Sequence, residues 1–425
     1  MKKSLTALFI ACLIVFSFDK AQADIPILDA IYKSTIKTVQ FYSRTADTAI
    51  MPITYISSQD LSLEFDELVD EADSYYFKIV HCNADWQPSN LKSIQYMRDF
   101  NEIFIQSRQF STATKVPFTH YTAIIPSMLV SGNFFIKVYE EGNENNVLLT
   151  RRFMVVENRI SIDGRAGFPN NTSKTKTHQM VSFNINYSNY YIVNPSVQLK
   201  VIVRQNYDWR SATPALLPLY IREDLTQLEY TFYNDATTFP GGNEYRYFDM
   251  RSFYFGGFNV GRIIKAKDST TKLLLAIDKT RASNTYILWN DLNGRYFIQN
   301  YETGGTRIEP DYGYVTFTLE TNEMPGANVY IYGGLSNWQL APENRMVYNT
   351  KNDAYEARLL LKQGIYNYRY FVTGKGMDEN YYEGNYSATE NVYDVIVYYR
   401  IPGEFYDRII GYQTMRSVGN TNFNR

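Results

Sequence analysis

Apolar and polar side chains alternate with period two along most of the chain. Val181-Ser182-Phe183-Asn184-Ile185-Asn186-Tyr187 places its apolar residues on one face of an extended segment and its polar residues on the other. Val197 to Val201, Val315 to Leu319, Tyr355 to Leu359 and Tyr366 to Tyr370 repeat the pattern. Turn-forming pairs punctuate these runs: Ser131-Gly132-Asn133, Asp163-Gly164, Gly241-Gly242, Asn293-Gly294 and Gln363-Gly364. Short half-buried strands at this spacing predict an all-β protein built of tandem antiparallel β-sandwich modules of immunoglobulin-like kind. Helical periodicity is scarce, and Leu91 to Gln106 is the one arguable stretch.

The punctuation suggests boundaries. Lys2 and Lys3, the apolar run Leu5 to Phe18 and Ala21-Gln22-Ala23 fit a signal peptide over residues 1–23. A lipoprotein signal ending at Cys12 fits less well, because the apolar run continues past it. Thr150 to Glu157 reads as a closing strand, so the first module is expected over 24–157. A middle β-rich module follows over 158–310, a C-terminal module over 311–402 and a loose tail over 403–425. No later apolar stretch approaches the ~18 residues of a membrane-spanning helix.

Composition narrows the partners. The chain carries 42 Lys and Arg against 44 Asp and Glu, a net charge of −2, with no basic block. Nucleic acid is therefore not expected as a partner. Cys82 is the one cysteine left once Cys12 is removed, so no intrachain disulfide is expected and the cores must supply the stability. Aromatic residues are abundant, with 38 Tyr against 3 His; they suit strands and also adhesive surfaces. An outer-membrane barrel is the rival architecture, but the runs are short for barrel strands and the chain ends in Asn424-Arg425 without a terminal aromatic strand.

Candidate chemistry concentrates in His81-Cys82-Asn83-Ala84-Asp85-Trp86-Gln87-Pro88-Ser89-Asn90-Leu91. His81 and Cys82 are neighbours on a predicted strand, so they point to opposite faces and do not suit one metal ion. His120 and His178 lie far along the chain, and neither His-x-x-x-His nor Cys-x-x-Cys occurs. A Cys82 nucleophile with His120 as base is the catalytic alternative; a buried inert thiol is the commoner state of such a cysteine. Gly334-Leu335-Ser336-Asn337-Trp338 lacks the small last residue of a nucleophile elbow, and Gly256 to Gly261 has the wrong spacing for a dinucleotide loop. Asp66, Glu67, Asp70, Glu71 and Asp73 read as a solvated acidic loop, with calcium as the weaker alternative since EF-hand spacing is missing. Trp86, Pro88 and Ser89 read as a pinned corner at a strand end, with Trp86 capping the sandwich core and Asp85 and Ser89 bonding nearby backbone. No cofactor and no enzymatic activity are expected.

Two resemblances add to this. Val329 to Trp338 with Leu359 to Tyr370 is similar to the early-set immunoglobulin-like fold of glycogen-binding modules, which implies glucan stacking on Trp338 as an alternative function. Leu335 stands where those modules usually have phenylalanine. From about Ile31 to Tyr412 the chain also resembles the type IX secretion system plug protein family. His81, Asp85, Trp86 and Pro88 carry the first segment, His120-Tyr121 the second and Ser131-Gly132-Asn133 the third. Thr150 to Phe153, Asp278-Lys279, Glu383 to Tyr386, Thr389 to Asn391 and Val397 to Arg400 complete the series. That resemblance implies a non-catalytic periplasmic protein at the inner face of the outer membrane, monomeric when free. Its implied role is to seal the periplasmic opening of the outer-membrane translocon barrel. Tyr381, Tyr382 and Tyr386 are the candidate contact tyrosines.

Overall fold

A computed structural model describes residues 26–45, 51–69, 71–267 and 269–417. The expected signal peptide and the last residues of the expected tail lie outside them. In the first module, one sheet runs in space through Ala30–Ile31, Asn143–Val156, Gly132–Glu140, Tyr75–Cys82 and Ile103–Phe104, with Ile53–Tyr55 also on Asn143–Val156. The facing sheet runs through Ile36–Ser43, Leu61–Glu67, Thr119–Ile124 and Ser107–Phe110. Alternation sets the register: Tyr75, Phe77, Ile79 and His81 point inward against Phe65, Tyr121, Phe134 and Phe153. Each fully buried side chain of this size stabilises the sandwich by about 1.5–3 kcal/mol.

The rest of the chain is not two modules in series. One sandwich pairs a sheet of Ser161–Gly167, His178–Asn186, Gln227–Tyr230 and Tyr220–Arg222, with Thr238–Pro240 alongside, with a sheet of Leu199–Gln205, Val392–Tyr399 and Arg408–Arg416. The other pairs Arg246–Asp249, Gly364–Thr373, Tyr296–Ile298 and Asn328–Tyr332 with Val260–Ala266, Ser269–Leu275, Tyr312–Glu320, Ala354–Lys362 and Val347–Asn349. The chain thus leaves the middle sandwich after Pro240, builds the third one, and returns at Val392 to finish the middle one. This differs from the expected boundaries at 310/311 and 402/403. Arg408–Arg416, expected as tail, is an edge strand whose Ile410 and Met415 fill the middle core. Nothing in its sequence marks a partner two hundred residues earlier. Gly411, which interrupts its alternation, sits against the side chains of Ile160 and Ile162, which would have to move aside for a side chain there.

Pairing is mostly antiparallel, with exceptions. Ile53–Tyr55 runs parallel to Asn143–Val156, and Ser269–Leu275 and Asp278–Lys279 run parallel to Tyr312–Glu320. Parallel neighbours need a long crossover, and the chain between Leu275 and Tyr312 supplies one by visiting the opposite sheet at Tyr296–Ile298. Leu91 to Gln106 contains a single four-residue helical turn, Ser93–Tyr96. Among the described residues no helix is long and apolar enough to cross a membrane.

Candidate functional site

Trp86, Trp338, His120 and the corner around His81 gather where the sandwiches meet. The corner after strand Tyr75–Cys82 is closed by backbone bonds from Asn83 N to Gln87 O and from Ser89 N to His81 O. Gln87 N donates to Asp85 Oδ1 at 3.1 Å, and Leu91 N to Ser89 Oγ at 3.2 Å. His81 lies under the corner. Its Nε2 faces the Ser131 carbonyl at 3.2 Å and therefore carries the proton; its Nδ1 then accepts from Ser89 Oγ at 2.9 Å. Burial pulls the imidazole down to about 4, so it stays neutral. Gly132, at φ +141°, passes so close to His81 Nε2 that a side chain there has no space.

The corner is also a clasp between modules. Ala84 N donates to Asp407 Oδ2 at 3.0 Å, and Asp407 N donates to Asn83 Oδ1 at 3.2 Å. Asn133 joins both sides, donating to Asn83 O at 3.0 Å and accepting from Tyr398 Oη at 3.0 Å. Burial raises the Asp407 carboxyl, but bonds from Arg400 and Ala84 N and the charge of Lys200 hold it below the usual range. Trp86 does not cap its own core as expected. It adopts φ +63° and packs edge-on against Trp209 of the middle module at 4.9 Å, with the Arg152 guanidinium 5.2 Å from its ring. The neighbouring apolar seam of Ala84, Met154, Val156, Ile396, Tyr398 and Ile409 welds the two modules.

A second seam joins the first module to the third. Asp66 is fully buried and accepts from His120 Nδ1 at 2.7 Å, Tyr312 Oη at 2.6 Å and Lys362 Nζ at 2.6 Å. Burial pushes the Asp66 carboxyl up, yet Lys362 and His120 outweigh it and hold it below the usual carboxylate range. Burial in turn pulls Lys362 down despite that partner. Thr38 Oγ1 meets Tyr312 Oη at 2.6 Å, and Asp311 accepts from Lys115 N and Val116 N at 2.9 and 3.1 Å. The acidic stretch is thus no solvated loop at its start. Asp66 and Glu67 close strand Leu61–Glu67, and Glu67 is buried against Lys33 and Tyr75. Asp73 is exposed, and Asp70 lies outside the described residues.

The expected contact residues divide. Tyr381 is half exposed and stands edge-on to Tyr382. Tyr382 is 1% exposed and belongs to the third core, so it cannot meet a partner. Tyr386 is half-buried, its hydroxyl among the carbonyls of Arg281, Ala282 and Asn284. Next to it, buried Glu383 receives Arg246 at 3.0 Å and Arg281 at 2.6 Å. Burial opposes the ionisation of Glu383, but the two guanidiniums bring its pKa down to about 2. Trp338 is pinned edge-on by Tyr332 at 5.5 Å and Tyr245 at 6.2 Å, over Gly294, in a crevice between modules rather than on an open face.

The fold does not bring the Cys82–His120 pair together. Cys82 and His120 stand in opposite sheets of the first sandwich, and Cys82 is buried, its thiol pushed up to about 12 by desolvation. His120 is committed to Asp66, with Tyr121 stacked on Phe65 at 5.1 Å beside it. Among the described residues no three His, Cys, Asp or Glu are grouped to hold a metal ion. Asp407, Lys362 and Arg151 join the modules through Ala84, Asp66 and Asn337, partners so far away in the chain that no local motif marks this role.

The type 9 secretion system plug protein 1st domain matches residues 36–157. That span covers nearly all of the first sandwich, including the corner and the His120–Asp66 pair. No curated protein matches the chain. The crystal structure of a hypothetical protein from Parabacteroides merdae ATCC 43184 superposes with a TM-score of 0.87 at 34% sequence identity, covering 92% of this chain and 100% of that one. The three-module arrangement is thus shared over the whole length of a solved relative. The match over residues 36–157 of its first sandwich places this chain in the type 9 secretion system plug protein family.

Proposed function

We propose that this protein is the plug of a type IX protein secretion system, closing the periplasmic opening of the outer-membrane translocon barrel when no cargo is loaded. Membership of the plug family carries the reading and makes the chain an extracytoplasmic secretion component. The architecture supports the finer role. A seal must not deform under solute pressure, and here the third sandwich is inserted within the middle one, with a buried ion cluster and an apolar seam tying both to the first. A seal must also leave when cargo arrives, which favours a modest, partly polar contact over a continuous apolar one. Exposed apolar side chains include Leu217, Tyr220, Ile221 and Leu225 on one edge strand and its flanks, and Tyr254, Phe255 and Phe258 in a third-module loop. These, with Tyr381, are the proposed contact residues.

The test is outer-membrane permeability in a strain lacking the protein. Entry of a bulky dye or antibiotic too large for ordinary porins is expected to rise, and to fall again when the wild-type gene is restored. An unchanged barrier with an intact, assembled translocon overturns the sealing role. Glucan stacking on Trp338 draws no support, because two tyrosines hold that ring edge-on inside a crevice.

A further inference from the structure

All three modules contribute to one cavity of about 150 Å³ at their common junction. Three of the four tryptophans line it: Trp86 from the first module, Trp209 from the middle one and Trp338 from the third. Four arginines line it too: Arg151, Arg152, Arg204 and Arg295. The carboxylate among its lining residues is Asp29, which takes Arg152 at 2.9 Å. Asp394 takes Arg204 at 2.6 Å from outside the lining. Four positive charges against these two negative ones leave Arg151 and Arg295.

Neither of these has a carboxylate within ion-pair distance among the described residues. Arg151 is 7% exposed, and its guanidinium reaches only neutral acceptors: the carbonyls of Ala30 at 3.1 Å and Thr150 at 2.8 Å, and Asn337 Oδ1 at 2.6 Å. Arg295 is stacked on Tyr207 at 4.6 Å. A buried guanidinium without a counter-ion is costly, so the cavity carries a surplus of positive charge in a low-dielectric wall. A ring wall and two guanidiniums without a paired carboxylate together describe a receptor for a carboxylate attached to a flat apolar group. A cavity of this volume holds one benzene-sized group. An adjoining hollow of about 270 Å³ shares Asp29, Arg152, Tyr207, Trp209 and Trp338 with it, giving room for what the group is attached to.

We infer that the three-module junction binds an apolar or aromatic carboxylate, its anion met by Arg151 and Arg295 and its ring by the tryptophans. Two sources share that chemistry: a free small aromatic acid, or the C-terminal carboxylate of a chain ending in an apolar residue. Because every module lines the cavity, such a ligand strengthens their mutual contact. This inference is independent of the sealing role, since binding is read on the isolated protein.

The experiment is titration calorimetry of the mature chain, with tryptophan fluorescence in parallel. The probes are benzoate, benzamide, Gly-Gly-Phe with a free carboxylate, and Gly-Gly-Phe amide. Saturable binding of at least one acid is expected, with its neutral counterpart weaker by about tenfold or more, the worth of a charge-assisted hydrogen bond. Arg295→Gln is expected to remove most of that preference. Tighter binding of the tripeptide than of benzoate assigns a chain terminus; the reverse assigns a small acid. Equal binding of acid and amide overturns the inference, as does the lack of saturable binding by either acid. The acid–amide comparison needs no variant, so it decides the matter even if a substitution harms folding.

Discussion

Lys362→Met is the sharpest perturbation of the locked architecture. Lys362 and Asp66 are each about 1% exposed or less, belong to different modules, and meet at 2.6 Å. Methionine keeps most of the stem volume and deletes the charge. Asp66 then retains His120 at 2.7 Å and Tyr312 at 2.6 Å but loses its buried cation. Breaking one side of a buried pair leaves an uncompensated charge and costs about 3–5 kcal/mol. Adding Asp66→Asn removes that charge, so the double variant is expected to recover about 2 kcal/mol of the loss, the coupling of groups in one network. Urea unfolding of both variants, followed by fluorescence and far-UV circular dichroism, measures this. Three tryptophans sit at the module junction, so fluorescence reports docking while dichroism reports sheets. In wild type the two curves should coincide; in Lys362→Met the fluorescence curve should move first as the first module undocks. Coincident curves with a midpoint shift worth under about 1 kcal/mol would refute the reasoning, by the usual reading of midpoint shifts.

Four further outcomes are expected. Burial raises the Glu244 carboxyl to about 7 from 4.5, so between those values the folded protein binds a proton the unfolded chain does not, and stability falls as pH rises through the window. Glu244→Gln should therefore gain stability over wild type at pH 8, on the order of 3 kcal/mol before the new amide's own hydrogen bonding is counted, and no gain at pH 4, measured as urea midpoints across pH. Glu383 has the opposite sign: its pKa of about 2 against 4.5 means that its contribution, present at neutral pH, is lost as pH falls from 4.5 towards 2, and Glu383→Gln should flatten that acid limb. Gly294 has φ +80° and lies against the rings of Trp338 and Tyr245, so Gly294→Ala should lower stability by at least about 1 kcal/mol in thermal unfolding, whereas Gly142→Ala, in open space at φ +73°, should carry the backbone strain alone. A thiol reagent should leave Cys82 unmodified in the native protein and modify it fully in denaturant, since its thiol is buried and pushed up to about 12.

Period-two alternation made the strands and their inward faces legible in the sequence, as at Tyr75 to His81. It says nothing about which strand lies beside which. Val392–Tyr399 is buried on both faces between Leu199–Gln205 and Arg408–Arg416, and no local signal marks a strand that returns to a sandwich begun two hundred residues earlier. The same blindness hid Asp66. At a strand end followed by more acids it looks solvated, and its cation is 296 residues away. Tyr381 and Tyr382 are adjacent and alike in sequence, yet one faces solvent and the other the core, because a turn offers no period from which to choose. The corner at His81 to Leu91 was readable as a pinned strand end; that Trp86 leans on Trp209 depends on a contact between modules that only the folded arrangement shows.

The most direct measurement for the sealing role is in-cell crosslinking followed by tagged purification of the mature protein from gently solubilised outer membranes, with mass spectrometry of what accompanies it. A very large barrel protein recovered in near-stoichiometric amount, crosslinked through positions such as Tyr254, Tyr220 or Tyr381, is the expected result. A clean monomer with no barrel, under conditions that capture other translocon contacts, would contradict it.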